Sequence, residues 1–576
     1  MMHFHKSAAL AVLATVLLAG FALAQGGSNL PPSLGGALGN PGSTRKEMRP
    51  PEPKPEPKVV LPLEPRVVIP LEPPKLSEGA TFILKKVAIE GATSVPVADL
   101  ARLADPYLGK QVGTGELEEL RQQLNAAYLQ RGYINSGAVL PDQQVADGTV
   151  TFRVIEGRVA DYRVEGLKHL RPGYVRDRLA LGAGPPLNIN VLSDRLRILL
   201  QDVNIARLNI DIEPGSTLGD AALIAKVDET PRWSFAATVA NNSPPSVGSI
   251  RGEINATARS LTGHGDVASL TYGRTEGVND GSASWAVPIT KWDTILSFRY
   301  DHNSALVTED IYHDLSITSR TQTARVAIAQ PVYRTGAQTL TLGLGFERRS
   351  SKNFLLDTPF SFSVGEIDGV SRTYVLRAFA DWLARGPKSV LALRATMSFG
   401  LPVFDATHSP QRPKADFQAL LLQGQYVRRV HKRSELVLRG AVQLADAPLY
   451  SFEQFAIGGL ETVRGYRTNA LVRDNGAIGS AEIRVPVADL PLPLPKRTEQ
   501  GVLQVVPFAD FGNGWNTHRE TARPQHIGSY GIGLRWEVPS RLLAQIYYAH
   551  AYRPLHRGSE RDLQDSGVHF SVSGLF

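Results

Sequence analysis

Apolar and polar positions follow two distinct rhythms along the chain. Between residues 81 and 230, strand-like alternation is interleaved with helical spacing. Leu117, Leu120, Leu124, Ala127 and Tyr128 share one face of a helix predicted over 115–131. Thr114 is its expected cap, Glu116, Glu118 and Glu119 suit its positive end, and Gly132 can supply a left-handed exit. A strand over 82–90 and a short helix over 97–103 precede it, and strands over 136–140 and 149–155 follow. The same β-α-α-β-β order then recurs: a strand over 160–165, a helix after Pro172, a helix over 191–202 with Leu192, Leu196, Leu199 and Leu200 inward, and strands over 207–213 and 221–228. Two similar modules, 77–157 and 158–230, stand in series. Repeated small modules of this kind suggest a binding arm.

After Pro231 the helical spacing disappears and a two-residue period takes over. Trp233, Phe235, Ala237 and Val239 alternate with small or polar neighbours, as do Leu296, Phe298 and Tyr300, and Leu340, Leu342, Leu344 and Phe346. A soluble sandwich shares this alternation, so the number and length of segments must decide. Sixteen can be placed, centred near residues 236, 253, 269, 285, 297, 326, 343, 376, 394, 421, 440, 482, 507, 533, 546 and 571. The 576 − 230 = 346 residues available give about 22 for each strand with its connection, the allowance of a tilted membrane-spanning strand. Long connections (350–370, 401–415, 445–475, 513–527, 552–565) fall at every second position between shorter ones, as outer loops alternate with inner turns. Val568, Phe570, Val572 and Gly574 lead by twos to Phe576, placing an aromatic on the lipid-facing side of a closing strand. The predicted fold is a membrane β-barrel of about sixteen antiparallel strands over 231–576, preceded by two α+β modules.

Composition narrows the chemistry. A net charge of +7 is spread over 576 residues, with basic and acidic side chains interspersed, so nucleic acid is not an expected partner. The absence of cysteine removes disulfide frameworks, thiolate metal sites and thiol nucleophiles. The 13 histidines contain no H-x-x-x-H pair, no G-x-x-x-x-G-K-[ST] phosphate loop occurs, and Pro185 and Pro186 after Gly182-Ala183-Gly184 block the helix start that a nucleotide fingerprint needs. No cofactor is expected. At the N-terminus, Lys6 and an apolar run ending in Ala22-Leu23-Ala24 read as a secretory signal over 1–24. Residues 25–76 carry thirteen of the 39 prolines and read as a polyproline spacer. No later stretch is apolar for long enough to form a membrane-spanning helix.

One constellation remains for function. The long connection between the eleventh and twelfth strands contains Gly458-Gly459-Leu460-Glu461-Thr462-Val463-Arg464-Gly465-Tyr466, and Phe508-Ala509-Asp510 lies on a later wall strand. An always-charged Arg464 and an inward Asp510 can form a bidentate bridge that draws the loop into the lumen. Taken alone, the residues equally allow Arg464 to be a solvated surface cation and Asp510 to line a wet channel.

With Tyr128-Leu129-Gln130-Arg131-Gly132-Tyr133, Ala138-Val139-Leu140-Pro141-Asp142-Gln143 and Val154-Ile155-Glu156-Gly157 in the first module, Val463-Arg464-Gly465-Tyr466 in the loop and Phe508-Ala509-Asp510 on the wall, the chain resembles the TpsB-type outer-membrane transporters of two-partner secretion, the haemolysin secretion/activation (ShlB/FhaC/HecB-like) family. The resemblance implies two periplasmic POTRA modules and a bacterial outer-membrane barrel, surrounded by lipid and inserted by the barrel assembly machinery. It implies export of an unfolded exoprotein of adhesin or haemolysin type, held through its N-terminal secretion domain, and no enzymatic activity. Carried onto this chain, Val463, Arg464, Gly465 and Tyr466 form the lumen loop, Phe508 and Asp510 its wall partner, and Phe570, Val572 and Phe576 the barrel's C-terminal signal. Residues 25–58 hold too much Pro and Gly for the pore-inserted helix some members carry. An assembly factor that inserts other barrels is the alternative within the superfamily. An outer-membrane hydrolase is a more distant one, resting on His264-Gly265-Asp266, which reads more simply as a turn.

Overall fold

The computed structural model describes residues 81–576 apart from 146, 412, 432, 495, 496 and 556–560. The expected signal segment and polyproline spacer lie outside the described residues.

In the first module a three-stranded sheet packs on helix Thr114–Gln130. Thr149–Ile155 is central, parallel to Lys86–Glu90 and antiparallel to Gly137–Val139. Val150, Phe152 and Val154 point at Leu117, Leu120, Leu124 and Tyr128, all buried. The predicted strand over 82–90 is two strands. Phe82–Ile83 pairs with Gln111–Val112, whereas Lys86–Glu90 joins the main sheet. Between them, Leu84 is fully buried and exchanges backbone bonds with Lys110 and Gly109, so the chain changes partners there. Gly113, rather than Thr114, caps the helix: its N–H donates to Glu116 Oε2 at 2.8 Å, which holds the carboxylate over the first turn. Gly132 leaves the helix at φ +92°.

The second module repeats the plan. Arg158–Glu165, Asp220–Glu229 and Ile205–Pro214 form its sheet, with Asp220–Glu229 central, and Pro172–Ala180 and Ile189–Leu199 cover it. Leu179, Leu187, Leu192, Leu196 and Leu223 fill its interior. A shared device closes both modules. Glu156 accepts from the backbone N–H groups of Thr93 and Ser94, and Glu229 from those of Lys168, His169 and Leu170, so the last strand of each sheet ties down the loop before its first helix. The modules are joined by Ile189 N–H to Gly132 O (2.9 Å) and Asn188 Nδ2 to Arg131 O (3.0 Å).

From Trp233 sixteen antiparallel strands close into a cylinder, the first, Trp233–Ala240, pairing with the last, Val568–Leu575. Each of the sixteen predicted centres lies within one of these strands. Alternation sorts the faces: Ile254 (61 %) and Leu270 (63 %) are exposed outside, while Asn303, Thr321 and Thr323 are buried inside. Two expected connection lengths change. Residues 350–355 belong to the strand Gln338–Leu355, whose pairing with Thr318–Arg334 continues to Phe354, and 490–501, at the module end, carries a small hairpin, Leu492–Leu494 with Arg497–Glu499.

The second module docks on the inner turns. Arg178 pairs with Asp293 (2.7 Å) and donates to Thr290 O, Gln201 Nε2 donates to Gly336 O (3.0 Å), and Asn204 Nδ2 to Gly265 O (2.9 Å). His264 lies against Arg171, and Asp266 accepts from Thr262 and from the Trp285 indole. His264-Gly265-Asp266 is therefore a structural turn beneath the module.

Candidate functional site

The connection 446–474 turns back into the cylinder instead of standing above it. Its limbs pair as a short hairpin, Phe455–Ile457 with Leu471–Arg473. Between the limbs, Gly458 and Gly459 take left-handed backbone, and Gly459 N–H reaches Val463 O at 3.0 Å, bending the tip tightly. Val463 is fully buried and packs with Phe455, Ile457, Tyr466 and Ile527. Gly512 on the facing wall leaves room for this wedge, since a Cβ there would lie 2.4 Å from Ile457 Cγ2.

Arg464, 3 % exposed, ends in the wall. Its Nε and Nη2 donate to Asp510 Oδ2 (2.7 Å) and Oδ1 (2.8 Å), the two-pronged geometry that guanidinium and carboxylate share. Its backbone N–H donates to the same carboxylate at 3.0 Å. Nη1 reaches Glu482 Oε2 at 3.1 Å and Nη2 reaches Ser480 Oγ at 3.2 Å. The guanidinium carbon lies over the Phe508 ring, 3.6 Å from its centre, and 4.8 Å from that of Tyr547. Register explains the convergence: Asp510 is opposite Ser480 and Phe508 opposite Glu482 on neighbouring strands, so all four project inward at one level.

The next two motif residues hold the far side. Gly465, at φ +85°, donates its N–H to His569 Nε2 at 2.8 Å, and its missing Cβ would sit 3.0 Å from Ala549 Cβ. Tyr466 Oη donates to Gly528 O at 2.9 Å. Arg467 then bonds Asp565 and Glu309 in two outer loops. Phe570, Val572 and Phe576 do not join this site. Val572 and Phe576 are exposed outside, and Phe576 exchanges backbone bonds with Phe235 across the closing seam.

Thus the structure brings together Val463, Arg464, Gly465, Tyr466, Phe508 and Asp510, and adds Glu482, Ser480, Tyr547 and His569. Glu482, nearly fully buried, also receives Arg439 (2.7 Å) and Arg484 (3.0 Å). A carboxylate in mid-strand at inward parity was its one signal in the sequence. His569 carried a similar signal, a polar side chain at inward parity, hidden beside the lipid-facing pattern of Val568, Phe570, Val572 and Gly574.

Residues 219–536 match the family described as haemolysin secretion/activation protein ShlB/FhaC/HecB, and residues 82–157 match the ShlB-type POTRA domain. The outer membrane transporter CdiB of Escherichia coli O6:K15:H31 (strain 536 / UPEC) is 24 % identical over 481 residues, covering 81 % of this chain and 77 % of the relative. The heme/hemopexin transporter protein HuxB of Haemophilus influenzae (strain ATCC 51907 / DSM 11121 / KW20 / Rd) is 24 % identical over 466 residues, covering 76 % and 77 %. Among solved structures, CdiB from Escherichia coli superposes with a TM-score of 0.64 at 20 % identity, over 87 % of this chain and 92 % of that one.

Proposed function

The chain belongs to the haemolysin secretion/activation family, and from that premise we propose that its cargo is an unfolded exoprotein of adhesin or haemolysin type, bound through an N-terminal secretion domain. It is an outer-membrane transporter of two-partner secretion with its modules in the periplasm. The observation that supports the cargo reading is the combination of a cylinder occupied by its own loop, with Arg464 seated on Asp510, and two open-edged modules at one mouth.

Among the described residues, the modules leave strand edges unpaired at Lys86–Glu90 and Ile205–Pro214, where an extended client can add as a further strand. Backbone hydrogen bonds make such binding tolerant of sequence, which suits an unfolded chain. The loop 446–474 is a plug. While Arg464 is seated, the lumen is closed, and a passing polypeptide requires the tip to leave Asp510 and Glu482. Val463, Gly465 and Tyr466 shape that tip, and Phe508 forms its stacking surface. Phe570, Val572 and Phe576 act in barrel insertion through the assembly machinery, displaying an apolar edge to lipid. Export needs no chemical step by this chain, because folding of the client outside biases its diffusion outward.

Deleting residues 81–229 tests the division of labour. The shortened barrel should insert and conduct ions yet export no client. Continued export would place client capture in the barrel itself.

A further inference from the structure

The loop that carries Arg464 is fastened to the wall a second time, at its base, with the charges reversed. The turn Ser451–Glu453 places Glu453, 2 % exposed, against the inner wall. Arg377 Nη2 donates to both of its oxygens, at 2.9 and 3.0 Å, and Arg349 Nη1 lies 3.6 Å from Oε1. The same two arginines are bridged by Glu347, 3.1 Å from Arg377 and 3.0 Å from Arg349. Arg377 Nη1 also reaches Ser398 Oγ at 2.6 Å. Arg349 Nη1 donates to Phe452 O at 2.7 Å, and its guanidinium lies 5.5 Å from the Phe452 ring. Gln443 Nε2 holds the Glu453 carbonyl at 3.0 Å.

Glu347 and Arg377 stand on the seventh and eighth wall strands, Gln338–Leu355 and Val370–Arg385. Glu482 and Asp510 stand on the twelfth and thirteenth, Asn475–Asp489 and Val502–Trp515. At the tip a loop cation sits on wall carboxylates, and at the base a loop carboxylate sits on wall cations. Each group is buried and matched by opposite charge, so neither attachment can part without stranding charge on the wall. Among these contacts the two clusters share no residue, so nothing in them obliges the base to part when the tip does.

We propose that Glu453, with Arg377 and Arg349, is a second and independent latch that keeps the first limb of the loop against the lumen wall after the tip has released. On this view tip release opens the pore only in part, and the full bore requires both attachments to part. Glu453 is then a positioning residue, acting through the limb it anchors. The proposal rests on the plug reading above.

Single-channel conductance of the purified full-length chain in planar bilayers tests it, with the heat-modifiable mobility of a closed barrel checked for every variant. Arg464→Ala should conduct more than wild type, and Arg464→Ala with Glu453→Gln should conduct about twofold more again, since once the tip is free only the base still holds the limb in the bore. Glu453→Gln alone should stay near wild type, because the tip still closes the lumen. Adding Arg377→Gln to the double variant should give no further increase, because Glu453 and Arg377 act through one shared contact, whereas independent packing losses would add. If Glu453→Gln does not fold, Glu453→Asp, which keeps the charge but shortens its reach, should give an intermediate increase. A double variant no more conductive than Arg464→Ala, or a further rise on adding Arg377→Gln, overturns the second latch and leaves the plug reading standing. Equal conductance of wild type and Arg464→Ala overturns the plug reading, and the second latch falls with it.

Discussion

The modules and the barrel put opposite things inside. In the modules Leu124, Phe152, Leu192 and Leu223 are sealed between sheet and helix, and Arg121, paired with Glu118, is a charged side chain buried beside them. In the barrel Arg464, Asp510, Glu482, Glu347 and Arg377 are among the buried residues, while Ile254, Leu270 and Leu344 face outward. Both regions are built from strands that alternate by twos. The difference lies in what covers the apolar face: a helix of the same chain in the modules, lipid around the cylinder. Burial therefore has two meanings here. A buried leucine in a module gains from leaving water, whereas a buried ion in the lumen is held only by its matched partners.

Four measurements sharpen or break this contrast. The largest effect is expected at the tip: Arg464→Ala strands Asp510, a penalty of about 3–5 kcal/mol on the closed state, while Glu482 keeps Arg439 and Arg484. The closed state from which each export cycle starts and to which it returns is lost, so export should fall at least tenfold, a drop worth about 1.4 kcal/mol or more, although the inserted pore conducts more; wild-type export would show that the lumen charges do not govern gating. Next comes Leu124→Ala, which opens a cavity in the first module at about 2–5 kcal/mol and should make that module the first site of proteolysis in the full chain. Leu270→Ala on the lipid face should have a much smaller effect, and equal effects would erase the distinction between the two interiors. Third, Arg178→Ala removes a largely buried ion pair with Asp293 between the second module and the barrel. It should loosen the joint by about 1–3 kcal/mol, seen as faster amide exchange in the turn 289–294.

The smallest effect is set by pH in the first module. Burial raises the Glu156 carboxyl, but hydrogen bonds from Thr93 and Ser94 outweigh it and hold the group below its usual 4.5. A carboxylate whose folded pKa is depressed contributes stability that is present above 4.5 and lost as pH falls through the lower folded value. Protection of the Thr93 and Ser94 amides from exchange should therefore decline on acidification below 4.5, and Glu156→Gln should abolish that dependence. An unchanged acid response in the variant would assign it to another group.

Much of the frame was legible in sequence because period two and period 3.6 are local properties. The helix at Thr114–Gln130 announces itself through Leu117, Leu120 and Leu124, and each wall strand through its own alternation. The break at Leu84 was not legible, because it depends on Gly148 and Lys110 offering competing backbone partners. At the site, residue type and loop length left a bridge between Arg464 and Asp510 as one of two equal readings, and the family resemblance chose it. Glu482, Tyr547 and His569 could not be placed with them, since their meeting depends on the register of the twelfth to sixteenth strands.

By itself, then, the sequence determined the number of strands, the face each side chain would present, and the presence of one long loop with a cation at its tip. Only the tertiary structure decided that this loop lies within the cylinder and is fastened at both tip and base. Alternation is written residue by residue, but a buried ion pair between Glu453 and Arg377, 76 positions apart, exists only once closure of the wall has set register and distance together.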